Sequence, residues 1–215
     1  MIYIKSFVFN PFMENSYILH DETKEAVIID PGCYENYEKK ELSDFIEDNE
    51  LKVVRLLNTH CHIDHVFGNQ YVKEKYNVPL SIHKDDSATL LSVKAYAPSY
   101  GFQHYEESMA DTFLDEGDKV EFGNSSLGVL FVPGHAPGHI AFYNKDEGFI
   151  IGGDELYDGS IGRTDLPGGD FDVLIHSIHE KFFPLGDEMM VYSGHGSTTT
   201  IGKEKASNPF CAIVS

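Results

Sequence analysis

Hydrophobic and polar positions change period several times along the chain, and each change marks an element. Tyr3-Ile4-Lys5-Ser6-Phe7-Val8-Phe9 alternates and Ser16-Tyr17-Ile18-Leu19 follows it, so both read as strands. Ala26-Val27-Ile28-Ile29-Asp30 is a short apolar run closed by Pro31-Gly32, the pattern of a buried strand ending in a turn. Residues 34–50 are charged, with Leu42, Phe45 and Ile46 at helical spacing, which predicts a surface helix. Val53-Val54-Arg55-Leu56-Leu57 predicts a second buried strand, 66–76 a helix, and Leu80-Ser81-Ile82 a further strand. The segment 87–112 is the least regular. It has a helical start at Ala88 and Leu91 and a loop around Ala97-Pro98-Ser99-Tyr100-Gly101, and it reads as a flap beside a site. Short strands are expected at 119–122, 127–132, 140–143 and 149–151, then a helix over 172–182, a strand over 189–192 and a last helix over 201–207. Two groups of strands with helices between them predict a layered α/β body with two sheets.

Composition narrows the class. The 215 residues are 41% apolar and 24% charged, without low-complexity segments, linkers or repeats, as in an ordinary globular protein. Met1-Ile2-Tyr3-Ile4-Lys5 does not read as the start of a signal peptide, and no apolar run has the length of a membrane span, so a cytoplasmic location is expected. Cys33, Cys61 and Cys211 are odd in number and far apart, which argues against a disulfide framework and for a reducing compartment. The net charge is −19, and only Arg55 and Arg163 are arginines. Such a surface repels phosphate backbones and anionic lipid, which leaves a small molecule as the expected partner. An anionic substrate would need local positive charge, which bound divalent metals supply.

Candidate chemistry concentrates in Thr59-His60-Cys61-His62-Ile63-Asp64-His65. In an extended segment alternate side chains share a face, so His60 and His62 can reach one ion while Cys61 turns away. Asp64 and His65 follow where the chain turns into a helix and can face a second ion. Three more candidates stand after apolar strands and a small residue: His135 after Val132-Pro133-Gly134, Asp154 after Ile151-Gly152-Gly153, and His195 after Tyr192-Ser193-Gly194. Isolated histidines are ordinarily packed or solvated, the reading for His20, His83, His104, His176 and His179. His139 is open between a core histidine and one that hydrogen-bonds a ligand.

The set His60-x-His62-x-Asp64-His65, His135, Asp154 and His195 resembles the metallo-β-lactamase superfamily over nearly the whole chain. The resemblance implies an αββα four-layer sandwich, two mixed sheets flanked by helices, with 1–215 as one domain. It assigns His60, His62 and His135 to one metal, Asp64, His65 and His195 to the other, and Asp154 to both, with Asp64 and Asp154 as the catalytic carboxylates. The implied cofactors are two divalent metal ions, zinc first, with iron or manganese as alternatives. A hydroxide shared by the two ions would attack an acyl carbon.

The stretch from Gly153-Asp154-Glu155-Leu156-Tyr157 through Gly162-Arg163-Thr164-Asp165 to Gly194-His195-Gly196 resembles the small glyoxalase II-like hydrolases, or hydroxyacylglutathione hydrolases. That implies a small thioester or ester substrate, which a glutathione-derived one would fit. The chain ends soon after His195, so no separate C-terminal glutathione-binding helical domain is expected. Lactamases with a cysteine in the second metal site look less similar, because Asp154 stands in that position. Gly162-Arg163-Thr164-Asp165 also resembles persulfide dioxygenases, which use one iron held by two histidines and a carboxylate. A lactonase and a metal-binding protein without catalysis are further alternatives. Arg163, Tyr157 and Lys203 are candidate substrate contacts. For Arg163 the competing reading is an ion pair with Asp165 or Asp170 that fixes its loop.

Overall fold

The computed structural model describes residues 1–213. Contacts divide the chain into two compact units, one of residues 1–114 with 121–126 and one of 115–120 with the residues from 127 onward.

The first unit holds a six-stranded sheet of β1 (Tyr3–Phe9), β2 (Glu14–His20), β3 (Glu25–Ile29), β4 (Lys52–Leu57), β5 (Leu80–Ile82) and β6 (Thr112–Phe113), in that order. The first three strands form an antiparallel meander, and β3 to β6 run parallel. The parallel pairs need crossovers. These are α1 (Asn36–Asp48), the pair α2 (Ile63–Val66) and α3 (Asn69–Tyr76), and α4 (Ser87–Tyr96) with a following 3-10 turn. Leu42 and Ile46 of α1 and Val72 of α3 are buried in one core with Ile18, Ile28 and Leu56. The alternating burial of a half-covered strand is visible in β1, whereas β3 is buried almost throughout.

The helix expected over 66–76 begins earlier, at Ile63, and is interrupted at Phe67 and Gly68. The cause is close packing. Gly68 N–H donates to the Pro31 carbonyl at 2.7 Å, and a side chain at 68 would overlap Cys33 Sγ and that carbonyl. The expected helix start at 87 is α4, with Leu90 and Val93 buried and Leu91 exposed.

The second sheet is built from β7 (Lys119–Phe122), β8 (Ser125–Phe131), β9 (Ile140–Asn144), β10 (Phe149–Gly153), β13 (Met190–Ser193) and β14 (Thr199–Thr200), in the order β14-β13-β10-β9-β8-β7. β10 and β13 pair parallel, and α5 (Phe171–Ser177) lies between them in sequence. A small hairpin of β11 (Leu156–Tyr157) and β12 (Ser160–Ile161) precedes α5, and α6 (Ile201–Ser207) follows β14. The helix expected over 172–182 is regular only to Ser177. It then widens into a π turn over Ile178–Phe182, which buries Ile178 and Phe182 in the core with Ile150, Leu174 and Val191. No described helix is long and apolar enough to cross a membrane.

Candidate metal centre

In the first unit β4 ends at Leu57, and the chain bends at Thr59 and passes through an extended His62 before α2 begins at Ile63. That path brings the motif's side chains together. The His60 and His62 ring centroids are 4.7 Å apart, and those of His60 and His65 4.1 Å. His65 Nε2 lies 3.8 Å from Asp64 Oδ2. His60, Asp64 and His65 are buried. Cys61 is buried as well, and its N–H donates to Asp86 Oδ2 at 2.5 Å. Burial pushes its thiol well up, so it stays a neutral packing group.

Behind His65 stands a layer of buried polar groups. Asp30 Oδ2 is 3.1 Å from His65 Nδ1 and accepts the Thr59 hydroxyl at 2.6 Å, while Oδ1 accepts Thr59 N–H at 2.7 Å. Asn58 Nδ2 donates to the His65 carbonyl at 3.0 Å, and Asn10 Nδ2 to the Asp64 carbonyl at 3.1 Å. Glu14 Oε2 accepts the Ser16 hydroxyl at 2.8 Å, and Glu14 Oε1 lies 3.9 Å from His65 Nδ1. Burial raises the Glu14 carboxyl well above the usual range, against the opposing pull of His65. A donor hydrogen at His65 Nδ1, facing Asp30, leaves the Nε2 lone pair as the ligand atom.

In the second unit β8, β10 and β13 each lead to one candidate. His135 Nε2 and His195 Nε2 lie 3.4 and 3.5 Å from the same atom, Asp154 Oδ2. His135 Nδ1 donates to the Arg163 carbonyl at 2.7 Å, which again reserves Nε2 for a ligand bond. His139 is buried and its Nε2 accepts Asp154 N–H at 3.0 Å, so it is both a core histidine and a group that orients a candidate ligand. Its Nδ1 faces Glu155 Oε1 at 3.9 Å. Glu155 is buried, and desolvation, with Asp154 adding to it, raises its carboxyl well above the usual range.

The substrate-contact candidates are occupied locally. Arg163 makes a bidentate pair with Asp165, at 2.7 Å for both bonds, and this hydrogen-bonded guanidinium pulls the Asp165 carboxyl down to about 2. The loop-fixing reading therefore describes Arg163 in this structure, with Asp165 as its partner. Lys203 pairs with Asp158. The Tyr157 ring stands edge-on to His195 with centroids 6.2 Å apart.

Sequence reasoning missed Asp30, Glu14, Asn10 and Asn58. Asp30 carried a usable signal, since it too follows an apolar strand and precedes Pro31-Gly32. Asn10 and Glu14 carried none, because they reach this region from the β1–β2 turn.

Residues 9–195 match the family model of the metallo-beta-lactamase superfamily. Hydroxyacylglutathione hydrolase GloC of Haemophilus influenzae is 38% identical over 201 residues, 93% of this chain and 93% of its own. Three crystal structures are similar. BLEG-1 B3 metallo-beta-lactamase has 33% identity and a TM-score of 0.89, covering 98% of this chain and 100% of that one. TTHA1623 in a di-iron-bound form has 33% identity and a TM-score of 0.85, covering 96% and 99%. ETHE1 from Myxococcus xanthus has 25% identity and a TM-score of 0.81, covering 98% and 84%.

Proposed function

The chain belongs to the metallo-β-lactamase superfamily and has its αββα fold, and from that premise we propose that it is a metal-dependent hydrolase of small thioesters or esters, of the glyoxalase II type. The observation that carries this reading is Asp154, whose single oxygen Oδ2 faces both His135 Nε2 and His195 Nε2. A carboxylate so placed suits a bridge between two cations. In this reading His60, His62 and His135 hold one cation, Asp64, His65 and His195 the other, and Asp154 both.

The donor chemistry fits. Imidazole and carboxylate ligands match zinc first, and iron or manganese next. Bound divalent cations polarise an acyl oxygen and make a nucleophile available from water near neutral pH. The chain's own groups orient the rest. Asp30 and the Arg163 carbonyl fix the His65 and His135 rings, and Asp64 and Asp154 offer carboxylate oxygens to a water proton. Tyr157 stands on the His195 side as a substrate contact, whereas Arg163 and Lys203 reach substrate only by leaving Asp165 and Asp158. The 38% identity to a hydroxyacylglutathione hydrolase supports a thioester whose thiol is glutathione-like.

Hydrolysis of S-lactoylglutathione and simpler thioesters by the zinc-loaded protein is the test. Measurable turnover is expected, with His60→Ala lowering kcat/KM by about a hundredfold or more. No thioester or ester turnover, with β-lactam hydrolysis in its place, would overturn the reading in favour of the activity named for BLEG-1. The second reading, a mononuclear iron persulfide dioxygenase, is favoured by Gly162-Arg163-Thr164-Asp165. Oxygen uptake with glutathione persulfide by the iron-loaded protein, without thioester hydrolysis, would decide for it.

A further inference from the structure

The β11–β12 hairpin leaves the second unit's candidate ligands just after Asp154 and returns to them at Arg163. Its strands have two residues each and form a sheet of their own. A hairpin of that size is marginal in water by itself. The first arm presents Tyr157 edge-on to His195. The second runs on to the Arg163 carbonyl, which accepts His135 Nδ1–H at 2.7 Å. The base of the hairpin is pressed on the same residues. Gly162 N–H donates to the Glu155 carbonyl at 3.2 Å, and a side chain at 162 would overlap the Asp154 carbonyl and crowd His135 Nδ1. A shift of the hairpin therefore reaches both rings that face Asp154 Oδ2.

What holds the tip of the hairpin is α6. Glu204 is only 1% exposed. Its Oε2 accepts Gly159 N–H at 3.0 Å, in the hairpin turn, and Asn208 Nδ2 at 2.7 Å. Its Oε1 accepts the Thr199 hydroxyl at 2.5 Å, which ties the same carboxyl to β14. Asn208, also buried, donates from Nδ2 to the Ser160 carbonyl at 2.9 Å. On the outside Lys203 pairs with Asp158. A carboxyl is costly to bury and is kept where hydrogen bonds replace its water. Gly159 is exposed, and water would serve its N–H as well. A buried carboxyl reaching that group fixes the place of the turn, beyond satisfying its backbone.

We propose that Glu204, with Asn208, is a positioning residue of the hydrolytic site: from α6 it clamps the 156–161 hairpin, and through it sets the His135 ring by the Arg163 carbonyl and holds Tyr157 beside His195. The inference rests on the hydrolase reading for its effect on turnover. Its effect on His135 rests on the hydrogen bonds alone. Glu204 touches neither substrate nor ligand, so it acts through the hairpin's backbone. A ring held by a fixed carbonyl keeps its Nε2 aimed at a cation, and a ring on a loose hairpin does not.

The test uses the zinc-loaded full chain and three readings: kcat/KM on S-lactoylglutathione, zinc affinity by competition with a chromophoric chelator, and the NMR resonance of the His135 Nδ1 proton. Glu204→Ala should lower kcat/KM and zinc affinity about tenfold each, and move the resonance upfield as the bond to the Arg163 carbonyl lengthens. Glu204→Gln should restore most of all three. Its amide oxygen still accepts Gly159 N–H and Asn208, and the Thr199 hydroxyl turns to accept from its nitrogen. Asp21→Asn weakens the fold through the β2–β3 turn and should leave all three readings unchanged. If Glu204→Ala does not fold, Asn208→Ala decides: it removes the bond to Ser160 and should act in the same direction by about threefold. An unmoved resonance with unchanged zinc affinity in the folded variant would overturn the clamp, as would equal losses in Asp21→Asn. The resonance and the zinc affinity need no substrate, which separates the two claims. If both respond and no thioester is hydrolysed, the hydrolase reading falls and the clamp on His135 stands. If thioesters are hydrolysed at full rate by Glu204→Ala with the resonance unmoved, the clamp falls and the hydrolase reading stands.

Discussion

Asp30 touches no substrate in this account, yet it decides how His65 stands. Its two oxygens accept Thr59 N–H and the Thr59 hydroxyl, and Oδ2 stands 3.1 Å from His65 Nδ1. Asp30→Asn sets an amide donor against groups that themselves donate. Metal affinity, read by competition with a chromophoric chelator, should fall about 10- to 100-fold, and stability by about 1–3 kcal/mol. Unchanged affinity would show that His65 is oriented by something else. Gly32 is a second such position. A side chain there would overlap the Glu14 carboxylate, the Asn10 amide and the Asp64 carbonyl. Gly32→Ala should therefore cost about 1–3 kcal/mol in denaturant unfolding and weaken metal binding with it. The ligand candidates were legible as residues because four stand together in 59–65 and the other three each follow an apolar strand and a small residue. Their supports were not, because Asn10, Asn58 and Glu14 are ordinary polar residues whose role depends on a partner far away in sequence.

At the scale of elements, periodicity located most strands to within a residue or two, because burial on one or both faces writes itself into the sequence. It failed where tertiary contact overrides local preference, as at Gly68, pressed on Pro31 and Cys33, and in the π turn over Ile178–Phe182. The two-residue strands β6, β11, β12 and β14 were too short to carry a period. One element-level contact has a pH signature. Asp21 accepts Thr23 N–H and its hydroxyl through Oδ1, and Asn124 N–H and the Ser125 hydroxyl through Oδ2, which ties the tip at 123–125 to the β2–β3 turn. Burial pushes its carboxyl up, but these hydrogen bonds outweigh burial and hold it below the usual value. A depressed carboxyl stabilises the fold above its unfolded pKa of about 3.9 and loses that contribution as pH falls through the folded value. Asp21→Asn should thus cost about 1–2 kcal/mol at pH 7, and urea titrations should show the gap closing below about pH 4. A gap independent of pH would mean that the charge on Asp21 is not involved.

At the scale of the whole molecule, a net charge of −19 coexists with a candidate centre made of four histidines, two aspartates and a further histidine after β8. Cations bound there would relieve part of that excess and tie metal loading to folding. Removing metal with a chelator should lower the thermal midpoint by several degrees, and zinc should restore it. Because ligand histidines must be deprotonated, activity should fall as pH drops below about 6 and metal is released. Activity that survives complete metal removal would contradict the hydrolase reading. The family and its fold were legible from the ligand order alone. The substrate was not, because no motif in the chain encodes the acyl group or the leaving thiol.

The central claim is a centre of two cations, and metal content per chain tests it most directly. Element-specific mass spectrometry on the zinc-saturated protein should give about two zinc ions per chain, falling towards one in His195→Ala. One ion per chain in the unaltered protein, with His195→Ala the same, would contradict it.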